Sequence, residues 1–435
     1  MPPPFSAAPL SGWTDPAVLF AGWVAGSEHG FWLDAGPDAT DGWSWLGMGA
    51  PDDERSVRSV ALTGRAPADG AAGPFSGGWV GWIGYERGAA AAGAPVTAEP
   101  GEPPSVWLRA ERFIAVDHAA RRLWAVSARH DDDAWVDEMR LLAASRIPRA
   151  HEAAPDLGIA HARHLPDRYA ALIERCRDAI REGDAYQLCL TTRFSVAGEV
   201  DPAATYLRLR ALTPAHHGGY VRSGDTALLS ASPERFLQVG EGVARTRPIK
   251  GTRPRGADAQ EDAALAAELR ASVKERAENV MIVDLMRNDL SRVSAPGSIR
   301  VEGLLEVESY AAVHQLVSTV SSRLRPGTTA GDLLDAAFPA GSMTGAPKLS
   351  AMTILHRLEG GPRGVFAGCF GYVGHDGTID LAMIIRSIVT RPGGAYVGAG
   401  GGITWGSEAR AEVAEVGIKA RAPLAALGAV LPPGW

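Results

Sequence analysis

GAGGGITWGSEARAEVAEVGIKA, residues 398–420, runs from a predicted strand into a predicted helix. Its glycines remove side chains ahead of the helix, as close approach of backbone N–H groups to an oxyanion requires. A tight turn is the simpler interpretation of the same glycines. In the helix, Glu412 and Glu415 are three residues apart and share one face. The stretch predicts a strand–helix unit suited to binding ions.

A second predicted helix repeats this spacing. KERAENVMIVDL, residues 274–285, places Glu275 and Glu278 three residues apart. A few carboxylates completed by waters are the ligands that magnesium prefers. Each pair also has a simpler interpretation as a solvated helix face, with Lys274 or Lys419 four residues from a glutamate. The sequence leaves both interpretations open.

Composition favours small-molecule chemistry. The chain has 435 residues, 46% of them hydrophobic, and a formal charge of -7. No long basic run is present, so we expect no nucleic-acid partner. No uninterrupted run of 18 apolar residues exists, and the start MPPPFSAAPL lacks the pattern of a signal peptide, so we expect no membrane segment and a cytoplasmic location. The scattered cysteines, Cys176, Cys189 and Cys369, predict neither disulfides nor a metal site.

The pattern of elements favours an α+β fold. Strands and helices alternate in clumps rather than as regular βαβ units. Residues 147–166 lose periodicity, which predicts a boundary between an N-terminal region, 1–150, and a second region, 165–422. We expect a strand pair within 75–86, helix over 258–290, and a strand over 378–390 that contains Arg386.

Other polar residues stand out individually. Lys250 lies in RTRPIKGTRPRG, residues 245–256, where it could be a reactive amine or an anion clamp. Ser342 and Thr344 precede a predicted helix and could simply cap it. Arg386 sits among apolar neighbours and needs solvent or an anion. His314, in a predicted strand, would more often be a satisfied core histidine.

The order of several blocks resembles the chorismate-utilising enzymes. The blocks run SPERFL, PIKGTRPRG, KERAENVMIVDLMRNDLSRV, VHQLVSTV, GSMTGAPK, GYVG, IIRSIV and the opening stretch, and the resemblance covers about residues 165–422. FSGGWVGWIGYE, residues 75–86, is the best block of the N-terminal region. The resemblance implies the anthranilate synthase component I-like fold, with two orthogonally packed β-sheets flanked by helices in α/β/β/α layers, and chorismate bound on Mg²⁺.

The resemblance also implies roles for individual residues. Direct metal ligands are Glu278 and Glu415, and carboxylates holding the metal's waters are Glu275 and Glu412. Arg386, with Phe366 where many relatives have tyrosine, matches the receptor of the enolpyruvyl carboxylate. Other substrate-contacting positions are Gln187, Gly251, Thr252, His314, Ser342, Gly400, Gly401, Gly402 and Lys419.

Two positions indicate the reaction. Water-adding relatives have a general-base lysine where this chain has Gln187, whose neutral amide cannot activate water in that way. Anthranilate synthases have PIAGT where this chain has PIKGT, which resembles the branch that aminates C4 of chorismate. In that branch Lys250 would attack C2, Glu234 would be the general acid and base, and 4-amino-4-deoxychorismate would form. Amination at C2 with loss of pyruvate, and a silent chorismate-binding subunit, remain alternatives.

Two requirements follow for that reaction. Lysine must be neutral to attack, and Arg247, Arg253 or Arg255 would lower its pKa if they stay close, whereas carboxylates would raise it. No cysteine has the glycine-flanked setting of a glutaminase nucleophile, so ammonia should come from a separate glutamine amidotransferase subunit, as the resemblance also implies. The pathway served, any effector such as tryptophan and the oligomeric state are left open.

Overall fold

The computed structural model describes residues 5–62, 73–128, 132–145, 153–310 and 313–435. Long antiparallel strands and separate helices confirm the predicted α+β class. Part of the predicted boundary at 147–166 lies outside the described residues. None of the described helices is long and apolar enough to cross a membrane.

The strands are numbered in chain order. They are β1 Ser6–Leu10, β2 His29–Asp34, β3 Trp43–Asp52, β4 Gly78–Ile83, β5 Ser105–Asp117, β6 Arg122–Ser127, β7 Gly158–Ile159, β8 His161–Ala162, β9 Gln187–Ala197, β10 His217–Ser223, β11 Thr226–Ser232, β12 Arg235–Gly240, β13 Val243–Thr246, β14 Ile249–Pro254, β15 Arg300–Ser309, β16 Val313–Arg323, β17 Gly345–Ala346, β18 Cys369–Gly374, β19 Ile379–Met383, β20 Ser387–Arg391, β21 Gly394–Ile403 and β22 Ala429–Val430.

The helices are numbered in the same way. They are α1 Pro16–Leu19, α2 Glu54–Arg58, α3 Tyr85–Ala91, α4 Asp133–Ala144, α5 Pro166–Arg181, α6 Pro202–Leu212, α7 Ala259–Ala271, α8 Val273–Ser291, α9 Ala330–Ala337, α10 Lys348–Glu359 and α11 Ala409–Leu427, with a π-helical turn at Phe20–Val24 and a 3-10 turn at Gly341–Met343.

Hydrogen bonds join strands of the N-terminal region to strands from the rest of the chain. Twenty of the described strands form one continuous network, in which β2 pairs with β10 and β4 pairs with β18, all antiparallel. Only β7 and β22, among the described strands, form a separate parallel pair. The division into regions 1–150 and 165–422 stays a prediction.

Successive side chains along a strand of this network pack into two different apolar clusters. In β2, Phe31 and Leu33 belong to one cluster, and Trp32 between them belongs to the other. Helices α5, α6 and α11 cover the second cluster. Both faces of these strands are therefore buried, which explains their nearly continuous apolar sequence.

Three predicted elements differ in detail. The helical stretch 258–290 is two helices, because Ser272 ends α7 and its side chain caps α8 by accepting a bond from the Glu275 N–H at 3.4 Å. The strand expected over 378–390 is interrupted, because Arg386 has a φ of 52° between β19 and β20. Residues 75–86 hold one strand, β4, and the start of α3 rather than a strand pair.

Candidate active site

Lys250 lies on a β-bulge. Between the paired positions that flank Lys250, β14 has one residue more than β16. The next residue, Gly251, has a φ of 84°, and a Cβ on it would lie 3.0 Å from the carboxyl carbon of Glu275. Only glycine fits there without displacing that side chain. The bulge, rather than regular strand alternation, sets the direction of the Lys250 side chain.

Three strands and a helix meet around the Lys250 amine. Its Nζ lies 3.7 Å from Glu278 Oε2 on α8. A Cβ on Gly402 of β21 would lie 3.0 Å from Lys250 Nζ and 2.6 Å from Gln187 Nε2, at the start of β9. The missing side chain at Gly402 therefore leaves the space that the amine and the amide share.

Carboxylates decide the charge of this amine. Burial opposes the ammonium form, but the negative charges of Glu278, Glu234 and Glu415 outweigh burial and raise the pKa of Lys250. The sequence left this balance open. In the free protein the amine is protonated at neutral pH.

The sequence predicted that nearby arginines would lower the pKa of Lys250 if they stayed close to it, and the carboxylates outweigh any such effect. Each is neutralised by a carboxylate: Arg247 by Glu308, Arg253 by Glu268, and Arg255 by Asp262. Separation along the chain did not indicate these pairings, because the tertiary structure sets which carboxylate each arginine meets.

The two glutamate pairs face one another across the site. Each carboxylate lies near a cation: Glu275 with Arg253 at 3.7 Å, Glu278 with Lys250 at 3.7 Å, Glu412 with Lys274 at 3.2 Å, and Glu415 with Lys419 at 2.6 Å. The helix ion pair of Glu415 is present as one interpretation predicted. Lys274 instead bridges α8 to α11, a contact that its sequence spacing did not indicate.

The donor set fits a magnesium site with few protein ligands. Among the described residues, no three carboxylate, imidazole or thiol groups already form a metal cluster. Glu278 Oε1 is buried without a hydrogen-bond partner in the described part of the chain, and burial raises the pKa of Glu278. A Cβ on Gly401 would lie 3.0 Å from Glu412 Oε2 and 4.0 Å from Glu415 Oε1. Two direct carboxylates with ordered waters suit magnesium, which retains much of its hydration.

Glu234 has the properties of a general acid and base. It follows β11 and is buried, and its Oε1 accepts a hydrogen bond from Ser342 Oγ at 3.1 Å. Burial raises the pKa of Glu234 to about 7, against the opposing effects of Lys250 and Ser342. A carboxyl group titrating near neutral pH can both give and take a proton.

Arg386 presents a guanidinium that has no partner among the described residues. Its side chain makes no hydrogen bond or close ion pair within the described ranges, and burial lowers the pKa of Arg386 while Glu415 opposes that effect. Phe366 is buried, and its ring packs directly over Gly398 of β21, because a Cβ there would lie 2.1 Å from the ring. A partly buried guanidinium with no partner among the described residues is suited to a carboxylate ligand.

Glycines 400–402 of β21 contact α11 on one side and β9 on the other. Lys419 Nζ donates to the Gly400 carbonyl at 2.8 Å, and a Cβ on Gly400 would lie 2.4 Å from the Leu190 carbonyl oxygen of β9.

The Gln187 side chain is fully buried, and both of its amide atoms lack partners in the described part of the chain. A polar ligand would satisfy them.

Two predicted substrate positions are not brought to this centre by their described contacts. His314 Nε2 lies 2.9 Å from Asp262 Oδ1 on α7, and Nδ1 lies 2.7 Å from Ser309 Oγ. Thr252 is exposed on β14. Their substrate roles stay predictions.

A cleft elsewhere is not the candidate site. It encloses about 560 Å³ and is lined by Arg58, Arg292, Asp335 and Lys348, among others. Arg58 lies 2.6 Å from Asp335, and Lys348 lies 2.7 Å from Asp289. The cations of this cleft are already paired with carboxylates. They therefore attract the two carboxylates of chorismate less strongly than Arg386 does, which has no partner among the described residues.

Known proteins share this fold and this sequence. The family model of chorismate binding enzymes matches residues 14–425, so the chain belongs to that family. Anthranilate synthase component I from Streptococcus pneumoniae has a similar structure, with a TM-score of 0.73, 30% identity, and coverage of 97% of this chain and 92% of that one. The α+β fold predicted from the sequence is thus shared with a solved structure.

Two curated relatives carry a more particular name. Aminodeoxychorismate synthase of Streptomyces pristinaespiralis is 43% identical over 84% of this chain and 53% of its own. Aminodeoxychorismate synthase component 1 of Salmonella typhimurium is 40% identical over 79% of this chain and 75% of its own. The chain spans about half the length of the Streptomyces relative.

Proposed function

We propose that this chain aminates chorismate at C4 to form 4-amino-4-deoxychorismate, in the manner of the relatives named aminodeoxychorismate synthase. The observation that carries the proposal is the placement of Lys250. A bulge directs a largely buried primary amine into a site that also holds a carboxyl group with a pKa of about 7, two carboxylate pairs, and a guanidinium with no partner among the described residues.

Binding would use the groups left without partners. Arg386 would receive the enolpyruvyl carboxylate, and the Gln187 amide would face the ring near Lys250. Magnesium, held directly by Glu278 and Glu415 and through waters by Glu275 and Glu412, would compensate the charge of the ring carboxylate when bound. Chorismate is thereby oriented with C2 toward the lysine.

Two proton transfers in the reaction give Glu234 its role. The Lys250 ammonium must lose one proton before attack, and the leaving 4-hydroxyl must gain one to depart as water. Glu234 can take the first proton as a carboxylate and give the second as an acid, because its pKa is raised by burial to about 7. Neutral Nζ attacks C2, both ring double bonds shift, from C1=C2 and C5=C6 to C1=C6 and C4=C5, and the C4–O bond breaks.

Ammonia completes the exchange. Ammonia adds at C4, both double bonds shift back to C1=C2 and C5=C6, and the C2–Nζ bond breaks to release Lys250. The new amine loses one proton, which restores the enzyme. No carbon is oxidised or reduced, and the enolpyruvyl group stays on the product.

The ammonia source would be a second protein. All three cysteines are buried, and burial raises the pKa of Cys176, Cys189 and Cys369, so none is suited to act as a glutaminase nucleophile. The name "component 1" of the Salmonella relative also implies a further component. We therefore propose a glutamine amidotransferase partner.

Identification of the product tests the proposal. Purified chain is incubated with chorismate, magnesium chloride and ammonium chloride near pH 8, and products are separated by mass spectrometry. A product that retains the enolpyruvyl group and carries one amine in place of a hydroxyl is expected. Anthranilate with free pyruvate would instead assign the C2-aminating reaction, and bound but unconverted chorismate would assign a binding subunit.

A further inference from the structure

Residues 362–366, the loop before β18, are held by carboxylates from the N-terminal region. The backbone N–H groups of Arg363 and Gly364 donate to Glu86 at 2.7 and 2.8 Å, and that of Val365 donates to Glu102 at 2.9 Å. Charge-assisted bonds to three successive N–H groups fix the path of the loop. Glu86 ends the block at residues 75–86, to which the proposed reaction assigns no role.

This loop places a buried guanidinium among backbone carbonyls. Arg363 Nη1 donates to the Met343 carbonyl at 2.6 Å, and Nη2 donates to the Cys189 carbonyl at 2.8 Å. Both Nε and Nη2 also donate to the Glu359 carboxylate, at 2.8 and 2.7 Å. The guanidinium lies 4.2 Å from the ring centre of Tyr85. Its planar fork thus joins three chain segments at one point.

Two of these segments carry residues of the proposed reaction. Met343 shares the 3-10 turn with Ser342, whose hydroxyl donates to Glu234. Cys189 follows Gln187 by two residues on β9 and pairs with Gly402 of β21. A shift of either carbonyl would therefore move a group that borders the Lys250 amine or the Glu234 carboxyl.

A second buried arginine has the same local chemistry elsewhere. Arg210 donates to the Asp34 carboxylate at 2.5 and 3.3 Å and to the Gly36 carbonyl at 3.0 Å, and it lies 4.8 Å from the ring centre of Trp32. None of its described contacts involves a residue of the candidate site. Substituting Arg210 would therefore show the effect of weakening a buried ion pair in general, and substituting Arg363 would show any additional effect on the candidate site.

We propose that Arg363 is a positioning residue for the Ser342–Glu234 pair and that Glu86, from the N-terminal block, holds its loop in place. The role deepens the proposed function, because it concerns the acid and base of that reaction. It also assigns the N-terminal region a part in the active site: the region supplies the carboxylate that fixes the arginine, which in turn fixes the turn carrying Ser342.

Arg363→Lys isolates the positioning effect. A lysine retains one positive charge for Glu359, but its single ammonium cannot reproduce the fork that reaches both carbonyls. The turn should then relax and weaken the hydrogen bond from Ser342, which favours the ionised form of Glu234. Lys250 and Lys419, the other charged groups that act on Glu234, are unchanged in this variant.

Two readouts follow Glu234, one of them independent of catalysis. The first is a titration of ¹³C-labelled glutamate carboxyls by NMR in the free protein, with Glu234 assigned from the Glu234→Gln variant. The second is the pH profile of kcat with ammonium chloride. In Arg363→Lys and in Ser342→Ala both midpoints should move up by about one pH unit, the effect of losing one hydrogen bond to a carboxylate.

Coupling and controls decide the outcome. The double variant Arg363→Lys/Ser342→Ala should shift no further than Ser342→Ala alone, and Arg210→Lys should leave both midpoints unchanged. If Arg363→Lys does not fold, Glu86→Gln replaces it and should give a smaller shift in the same direction. Unshifted midpoints, additive shifts, or an equal shift in Arg210→Lys would each overturn the role of Arg363. Failure of wild-type amination would overturn the proposed function, while the NMR titration would still judge the positioning role.

Discussion

Glu234 and Glu415 are carboxyl groups of one site, yet their environments shift their pKa values in opposite directions. Burial raises the pKa of Glu234 to about 7, and its closest described partner is the hydroxyl of Ser342. Burial acts in the same sense on Glu415, but the ammonium of Lys419 at 2.6 Å outweighs it and lowers the pKa of Glu415. Glu234 is buried beside a neutral hydroxyl, whereas Glu415 is half exposed beside an ammonium, so burial and the nearest partner together set the direction of each pKa shift.

The largest effect is expected when Lys250, whose amine interacts with both Glu234 and Glu415, is removed. Lys250→Ala should lower C4 amination by at least about 1,000-fold, because it deletes the nucleophile, while chorismate binding persists through Arg386. Product formation and equilibrium binding measure the two effects. Lys250→Arg should be no more active than Lys250→Ala, since a guanidinium stays protonated and cannot attack carbon.

A trapped intermediate sharpens the same test. With wild-type protein, chorismate and no ammonia, peptide mass analysis should locate an adduct on Lys250. Substantial amination by the arginine variant would instead favour an anion clamp.

Removing the proton carrier should cost activity and increase stability. Glu234→Gln should lower kcat by roughly 100-fold or more. Because the pKa of Glu234 rises on folding, the native state binds its proton more tightly, and this contribution is lost as pH rises from about 4.5 to 7. The variant should therefore be more stable than wild type at pH 8 by roughly 3 kcal/mol, but not at pH 4.

Urea unfolding at both pH values measures this difference. Ser342→Ala is the matched control, because it retains the carboxyl group and should not be stabilised at pH 8. Equal stability differences at pH 4 and pH 8 would contradict a raised pKa.

Removing a fixed charge should act through the metal. Glu278→Gln or Glu415→Gln should reduce activity at limiting magnesium by roughly 10- to 100-fold and raise the magnesium concentration needed for half activity. The fold should persist, as thermal unfolding can verify. Glu174→Gln, at an exposed helix ion pair with Arg177, is the control. Full activity of both site variants at limiting magnesium would remove the metal assignment.

The smallest expected effect is none. Because the cysteines are buried and the proposed reaction takes up ammonia directly, glutamine should not replace ammonium chloride for the isolated chain. Adding a glutamine amidotransferase subunit should restore glutamine-dependent turnover, measured as glutamate released per product. Turnover from glutamine by the purified chain alone would refute the separate partner.

Much of the site was predictable because its motifs are local. The spacing of Glu412 and Glu415 places both on one face of α11, and glycines 400–402 precede that helix, as the sequence indicates. The interruption at Arg386 was not predictable, since its left-handed backbone depends on the path of β19 and β20 rather than on apolar neighbours. The pairing of Lys274 with Glu412, 138 residues away, was missed for the same reason.

The sequence by itself determined the α+β class, the order of the motifs, the two glutamate pairs and the lysine within PIKGT, because local periodicity and residue chemistry act over a few residues. Tertiary structure alone decided the ionisation of those groups. Arg253, three residues from Lys250, is neutralised by Glu268, whereas Glu278, 28 residues away, lies 3.7 Å from the amine and raises the pKa of Lys250. Electrostatic interaction depends on distance and burial in space, and folding sets both independently of separation along the chain.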